Sequence, residues 1–342
     1  MSLTINTNIS SLIAQRSLNN ATNGMNTSLE RMSTGYKINH SKDNAAGYSI
    51  ANKWETQIGS LDVAADNAAT GMDLLTTAEE TYSLLTSHLQ RIRDLTEQAS
   101  NGTYGSASLK SIQAEVYARL QEISRISANS EFNGIKLMAY TENGPDVGIT
   151  EAGINLQVGL YADENSIINL NIRCFSDASV SGLFGNLTGL TGASGVLSTA
   201  KGSGITSDIP TDLNDKAGME ILAAACTGLV LTSYDKETEA ATFQLQGNGG
   251  HQANEMLKYI DSAINEISER ATKIGAAQNR VESAMTALDV QSQNITSSLS
   301  TLRDTDISSE SSTYIQQQIL QQASATLLAT ANQLPSIALN LI

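Results

Sequence analysis

Along most of this chain apolar residues recur at steps of three and four, the spacing that gathers side chains on one face of a helix. The longest run lies towards the C-terminus. Ala253, Leu257, Ile260, Ile264, Ile267, Ala271, Ile274, Gln278, Val281, Met285, Leu288, Ser292, Ile295, Leu299 and Leu302 alternate steps of four and three. This is a heptad seam interrupted only by Gln278 and Ser292, and polar residues at seam positions fix register at a cost in stability. A helix of that length extends about 75 Å and needs partners throughout. A second stripe passes through Leu61, Ala64, Ala68, Met72, Leu75, Ala78, Tyr82, Leu85, Leu89, Ile92, Leu95 and Ala99, and a third through Leu109, Ile112, Val116, Leu120, Ile123 and Ile126. The turn residues 101–105 separate the two, so they are expected to form an antiparallel hairpin that the long helix completes as a bundle.

The middle is patterned differently. Residues 154–160 alternate apolar and polar positions, as residues 167–172 do less cleanly, around Asp163-Glu-Asn165, which predicts a β-hairpin. Residues 177–204 are rich in Gly, Ser and Thr, and residues 242–247 resemble a last strand. Residues 177–244 are therefore expected to form a variable, surface-exposed insert that can be removed without loss of the rest. The fold class that follows is mainly α: a long antiparallel helical bundle or coiled coil formed by both chain ends, with a small β-rich part and an inserted central domain. The expected divisions are 1–44 with 303–342 as paired terminal helices, and 45–176 with 245–302 as a helical domain carrying the hairpin at 150–175. The insert, 177–244, is the third.

Both chain ends are patterned yet uncharged. Ile5, Ile9, Leu12, Ala14, Leu18, Ala21, Met25, Leu29 and Met32 make one stripe, and Ile315, Ile319, Ala323, Leu327, Ala331 and Leu334 another. No charge occurs in residues 1–15 or after Glu310, and Asn, Gln, Ser and Thr fill the opposite faces. A helix that faces bulk water normally carries charge there, so these ends are expected to be surrounded by other protein. Many copies packed together would supply it.

Composition narrows the function. Of 342 residues 40% are hydrophobic but only 4% aromatic, so Ala, Leu, Ile and Met must carry the burial. Pro145, Pro210 and Pro335 are the only prolines, which leaves 1–144 and 211–334 free of helix breakers. A net charge of −15 repels nucleic acid and anionic lipid, so neither is an expected partner. The first residues lack a basic start and an apolar run, so no cleaved secretory signal is expected, and no stretch approaches a membrane span. Cys174 and Cys226 are too few for a disulfide framework or a zinc site. Two free buried thiols are the default, and a disulfide is the alternative if the chain lies outside the cell. His40, His88 and His251 fall in no metal-ligand motif, and no nucleophile–base constellation or phosphate-cradling loop occurs. No catalytic residue, metal or cofactor is expected, and the chain is read as a structural protein.

Several motifs resemble those of the bacterial flagellins. They are Ile5-Asn-Thr-Asn-Ile-Ser-Ser-Leu12, Leu29-Glu-Arg-Met-Ser-Thr-Gly-Tyr-Lys-Ile-Asn39, Ser41-Lys-Asp-Asn-Ala-Ala-Gly47, Gln90-Arg-Ile-Arg-Asp-Leu95, Glu131-Phe-Asn-Gly-Ile-Lys-Leu137, Gly275-Ala-Ala-Gln-Asn-Arg280 and Gln317-Gln-Ile-Leu-Gln-Gln-Ala323. The resemblance covers roughly residues 1–140 and 250–342. It implies a subunit that self-assembles into the extracellular helical filament of the flagellum, for swimming, after export unfolded through the flagellar secretion apparatus. It further implies terminal helices paired in an inner core, a helical outer core and a projecting insert. Its partners would be other copies of itself, the flagellar cap and hook-associated proteins, and an export chaperone at the C-terminal helix. Self-assembly would fall to Ile5, Ile9, Leu12, Leu18, Met25, Leu29, Ile315, Ile319, Ala323, Leu327 and Leu334. Asp43, Asn44, Ala45, Ala46 and Gly47 read as a turn and a helix start whose small residues would make an inter-layer joint, a structural role ahead of any binding site. Arg91, Leu95 and Glu115 match the patch that a vertebrate innate immune receptor recognises, while for the chain's own work Leu95 belongs to the seam and the charges form an inter-helix pair. The rival readings are a hook–filament junction protein, which would add one layer and stop, and a cytoplasmic coiled-coil adaptor, which would stay in the cytosol.

Overall fold

The computed structural model describes residues 8–138, 153–161, 163–170, 178–184, 216–227, 229–235, 240–245 and 249–340. Helix dominates them. In chain order the elements are α1 (Ile9–Thr34), α2 (Ala45–Ser100), α3 (Ser106–Asn129), β1 (Glu131–Phe132), β2 (Ile135–Lys136), β3 (Ile154–Gln157), β4 (Ile167–Leu170) and α4 (Val180–Phe184). Then come α5 (Lys216–Thr227), β5 (Leu229–Asp235), β6 (Ala240–Leu245), α6 (Gly249–Arg303) and α7 (Ile307–Asn340). The protein is mainly α, with the strands confined to two-stranded antiparallel pairs among the described residues. Two compact units form, residues 1–63 with 289–342, and residues 64–288.

In the unit of residues 64–288 the periodic stripes become the core. Leu75, Ala78, Tyr82, Leu85, Leu89 and Ile92 of α2 meet Val116, Leu120 and Ile123 of α3 and Met256, Ile260, Ile267, Ile274 and Val281 of α6 in one continuous cluster. Every one of these residues is buried because a spacing of three and four returns to the same face of a helix. Gln278, the first polar break in the α6 seam, donates from Nε2 to Oε2 of Glu79 on α2 at 2.8 Å. Arg93 on α2 donates from Nε to Oδ1 of Asp261 on α6 at 2.7 Å. Such directional bonds fix which turns of two long helices stand side by side, which apolar packing alone leaves free to slide.

The hairpin pairs Ile154 with Leu170 and Gln157 with Ile167. Its connection contains a single turn of 3₁₀ helix, Glu164–Ser166, where the Ser166 hydroxyl donates to Asp163. Gly71 on α2 seats the hairpin, because a Cβ there would collide with Leu156.

The expected insert is not wholly peripheral. Ala178, Val180, Leu183 and Phe184, with Met219 and Leu222–Cys226, are buried in the same core as α2, α3 and α6, and α5 packs along α3. The reason is legible in α5 itself: its sequence, Lys-Ala-Gly-Met-Glu-Ile-Leu-Ala-Ala-Ala-Cys-Thr, is apolar nearly all round, and such a helix is buried. Residues 185–215 lie outside the described residues. β5 and β6 pair antiparallel, with a register shift between Leu231 and Ser233.

In the other unit α1 and α7 run antiparallel against each other. Asn8 caps α1 by accepting the Ser11 N–H on Oδ1 at 3.1 Å, and Gly35, at φ 77°, ends it with a left-handed turn that returns its N–H to the Arg31 carbonyl. Asp306 caps α7 by accepting the Ser308 N–H at 2.9 Å. The links on either side of these helices are tied together. Tyr36 and Asp304 form an antiparallel bridge, the Lys37 N–H donates to the Arg303 carbonyl at 2.7 Å, and the Thr305 N–H to the Gly35 carbonyl at 2.9 Å. The Arg303 guanidinium stacks 4.3 Å over the Tyr36 ring and lies 2.9 Å from Glu55.

Candidate functional site

The terminal stripes resolve into two faces. On α1 the buried residues are Ala14, Ala21 and Ser28, seven apart, and on α7, among the described side chains, they are Ser324 and Ala331. At Gly24 a Cβ would come within 2.9 Å of the Gln317 side chain. Gln321 donates from Nε2 to Thr22 Oγ1 at 3.0 Å. The fully buried positions between the two helices are thus small, with Leu18, Met25 and Leu328 half-buried beside them.

The large apolar residues point away from it. Ile9, Leu12, Ile13 and Leu29 on α1, with Ile315, Ile319, Leu320 and Leu327 on α7, are 45 to 64% exposed. Ala323 is exposed as well, whereas Leu18 and Met25 are half-buried. Ile5 lies outside the described residues, and so does the side chain of Leu334. The single stripe expected on each helix is therefore divided, because α1 and α7 share a shallow seam and the bulkier positions fall beside it. The signal in the sequence was the seven-residue repeat of small residues at 14, 21 and 28, and at 324 and 331. A groove of about 600 Å³ opens between the helices, lined by Ile13, Ala14, Leu320, Ser324, Leu327 and Ala331 among others, with no charged residue in its wall. Contiguous exposed apolar surface of this kind marks an interaction site.

Residues 43–47 form a turn and the start of α2. The Asp43 carboxylate accepts the backbone N–H groups of His40 at 3.0 Å and Asn39 at 3.2 Å. These bonds, the His40 amide foremost, hold its pKa below the ordinary carboxylate value. Asn44 Oδ1 accepts the Gly47 N–H at 2.9 Å and caps α2. Ala45 and Ala46 are exposed in the first turn, and Gly47 is buried against Ile38.

Arg91 and Glu115 are brought together across α2 and α3, with Nη2 2.8 Å and Nε 2.9 Å from Oε1. Leu95 does not join them at the surface. It is 2% exposed and sits in the core, so its side chain is not available to a partner on this face. Nearby, burial and the charge of Arg119 lower the pKa of His88, whose Nδ1 lies 3.5 Å from that guanidinium. His40 Nε2 is 2.8 Å from Glu30. His251 falls in the first turn of α6, and its side chain is outside the described residues. Cys226 is a free thiol buried beside Thr96, and burial pushes its pKa up to about 12; Cys174 lies outside the described residues. Among the described residues no group of three His, Cys, Asp or Glu side chains could hold a metal ion, and no helix is long and apolar enough to cross a membrane.

Two family models match this chain. The bacterial flagellin N-terminal helical region covers residues 5–143, and the bacterial flagellin C-terminal helical region covers residues 257–342. Polar flagellin F of Vibrio parahaemolyticus is 32% identical, flagellin C of Vibrio cholerae 33% and flagellin C of Vibrio anguillarum 31%, in each case over the whole of both chains.

Proposed function

From the premise that this chain belongs to the bacterial flagellin family, a family of structural proteins and not of enzymes, and is a filament subunit, we propose how it does that work. Copies polymerise through the outward apolar rows of α1 and α7 into the extracellular filament that drives swimming. The observation that carries this reading is the division of those helices. The residues fully buried between them are Ala and Ser, while Ile9, Leu12, Leu29, Ile315, Ile319 and Leu327 are exposed on helices nearly without charge. With the bulkiest apolar side chains left exposed, the pair gains further burial as neighbouring copies cover the rows. Ile5, Leu18, Met25, Ala323 and Leu334 extend the same contact.

In this proposal residues 1–44 and 303–342 line the inner core, and residues 45–176 and 245–302 build the outer core. Those parts of 177–244 outside α4 and α5 face the filament surface. Asp43–Gly47 is the joint between the layers. The chain travels unfolded through the flagellar export apparatus, with a chaperone covering α7 beforehand, and meets the cap and hook-associated proteins at the growing and basal ends. A host innate receptor that reads the α2–α3 face would meet the Arg91–Glu115 pair without Leu95.

Seeded elongation tests the central claim. Purified subunits added to sheared filament ends are expected to lengthen them. Ile319 and Leu327 are exposed in the subunit, so Ile319→Asp and Leu327→Asp change its own stability by no more than about 0.5 kcal/mol. Each would bury a carboxylate in the assembled contact, at a cost of several kcal/mol. Soluble, helical variants that do not elongate seeds are expected; growth at the normal rate would overturn the assignment.

A further inference from the structure

α7 runs through Pro335 without ending. A proline has no N–H, so within the helix it cannot donate to the carbonyl four residues earlier, and its ring crowds that carbonyl. Here the carbonyl belongs to Ala331, which is 7% exposed on the seam with α1. A buried carbonyl left without a donor is costly. The missing donor comes from the other end of the chain: Asn8 Nδ2 donates to the Ala331 carbonyl at 2.7 Å. The same side chain accepts the Ser11 N–H on Oδ1 and so caps α1. One turn along, Ser11 Oγ donates to Asn332 Oδ1 at 2.7 Å.

We propose that Asn8, Ala331 and Pro335 form a latch that holds the start of α1 against the last turns of α7, at the opposite extremity of the pair from the Gly35–Thr305 and Lys37–Arg303 tie. The tie at residues 35–37 and 303–305 fixes the register at one extremity, and the length of α1 separates it from the other, where a helix end frays unless its groups are partnered. The proline supplies a fixed point there. It creates one carbonyl on α7 that needs an outside donor, and Asn8, just ahead of α1, carries an amide beyond the oxygen that capping requires. Ser, Thr or Asp would cap α1 comparably, but none of them has both an acceptor for Ser11 and an NH₂ for Ala331. With the latch closed, Gln321 stands opposite Thr22 and Gln317 opposite Gly24. The outward rows of the two helices then lie in one fixed phase, which is what a second copy must meet. That last consequence rests on the filament reading, while the latch itself does not.

A double-mutant cycle separates the latch from ordinary capping. Asn8→Ser keeps a good cap and removes the NH₂, and Pro335→Ala restores an N–H to the Ala331 carbonyl. The readout is the concentration of free subunit left after seeded assembly. Losing the donor to a buried carbonyl is expected to raise it at least fivefold in Asn8→Ser. In the Pro335→Ala background the same substitution is expected to change it less than twofold. Equal effects in the two backgrounds, or no effect in either, would overturn the latch. If the unaltered protein does not elongate seeds, the filament reading fails, and amide exchange in the soluble chain decides the latch. Faster exchange across residues 9–14 and 328–334 in Asn8→Ser, suppressed by Pro335→Ala, supports it; identical exchange in Asn8→Ser and the unaltered protein refutes it.

Discussion

At position 43 a surface carboxylate holds a loop through two backbone N–H groups, and its strength is tied to its charge. The folded pKa lies below the ordinary value of 3.8. The stabilisation is therefore complete above that ordinary value and is lost as pH falls through the lower folded one. Protection of the His40 and Asn39 amides against exchange should persist at neutral pH and be lost only as pH falls below the ordinary value of 3.8. In Asp43→Ala it should be missing already at pH 7, with no further change on acidification. A pH-independent protection in the unaltered chain would show that the loop is held by something else. The residue type was readable as a turn former; that its partners are the amides of Asn39 and His40 was not, because backbone direction in a loop is set by what the loop packs against.

Two adjacent residues show how phase governs an element. Leu84 is 53% exposed and Leu85 fully buried on the same turn of α2. Leu85→Ala leaves a cavity among α2, α3 and α6, with an expected cost of about 2–5 kcal/mol. Leu84→Ala removes a solvated side chain and should cost about 0.5 kcal/mol or less. Urea denaturation of the full chain measures both, and comparable losses would mean that α2 is rotated from the phase described. The spacing along α2 and α3 announced this phase, since a deep core leaves one face per helix, whereas on α6 Met256, Ala263 and Ala277 are buried where Leu257, Ile264 and Gln278 were expected. α1 and α7 did not follow their stripes. Their shared seam takes small residues, and which apolar positions lie beside a shallow seam depends on the partner helix.

For the molecule as a whole, the stretch 177–244 is where expectation and structure part. Its Gly, Ser and Thr content suggested a removable insert, yet Phe184, Leu183, Val180, Leu222 and Met219 are buried in the core of the unit of residues 64–288. Each such side chain contributes about 1.5–3 kcal/mol, and five together reach the usual total stability of a domain, about 5–15 kcal/mol. Deletion of 177–244 is therefore expected to abolish the cooperative thermal transition of that unit, followed by circular dichroism. A normal transition would return the segment to the periphery. By itself the sequence determined the helices, their long seams, the uncharged character of the two ends and the absence of a charge pattern suited to nucleic acid, because each follows from periodicity and composition within one stretch of chain. Only the tertiary structure decided which face of α1 and α7 is spent on the other, that α4 and α5 join the core, that Leu95 is hidden, and that Asn8 answers Pro335. These depend on residues up to 327 positions apart, from Asn8 to Pro335, and no local pattern encodes which distant group will supply a missing donor or cover an exposed side.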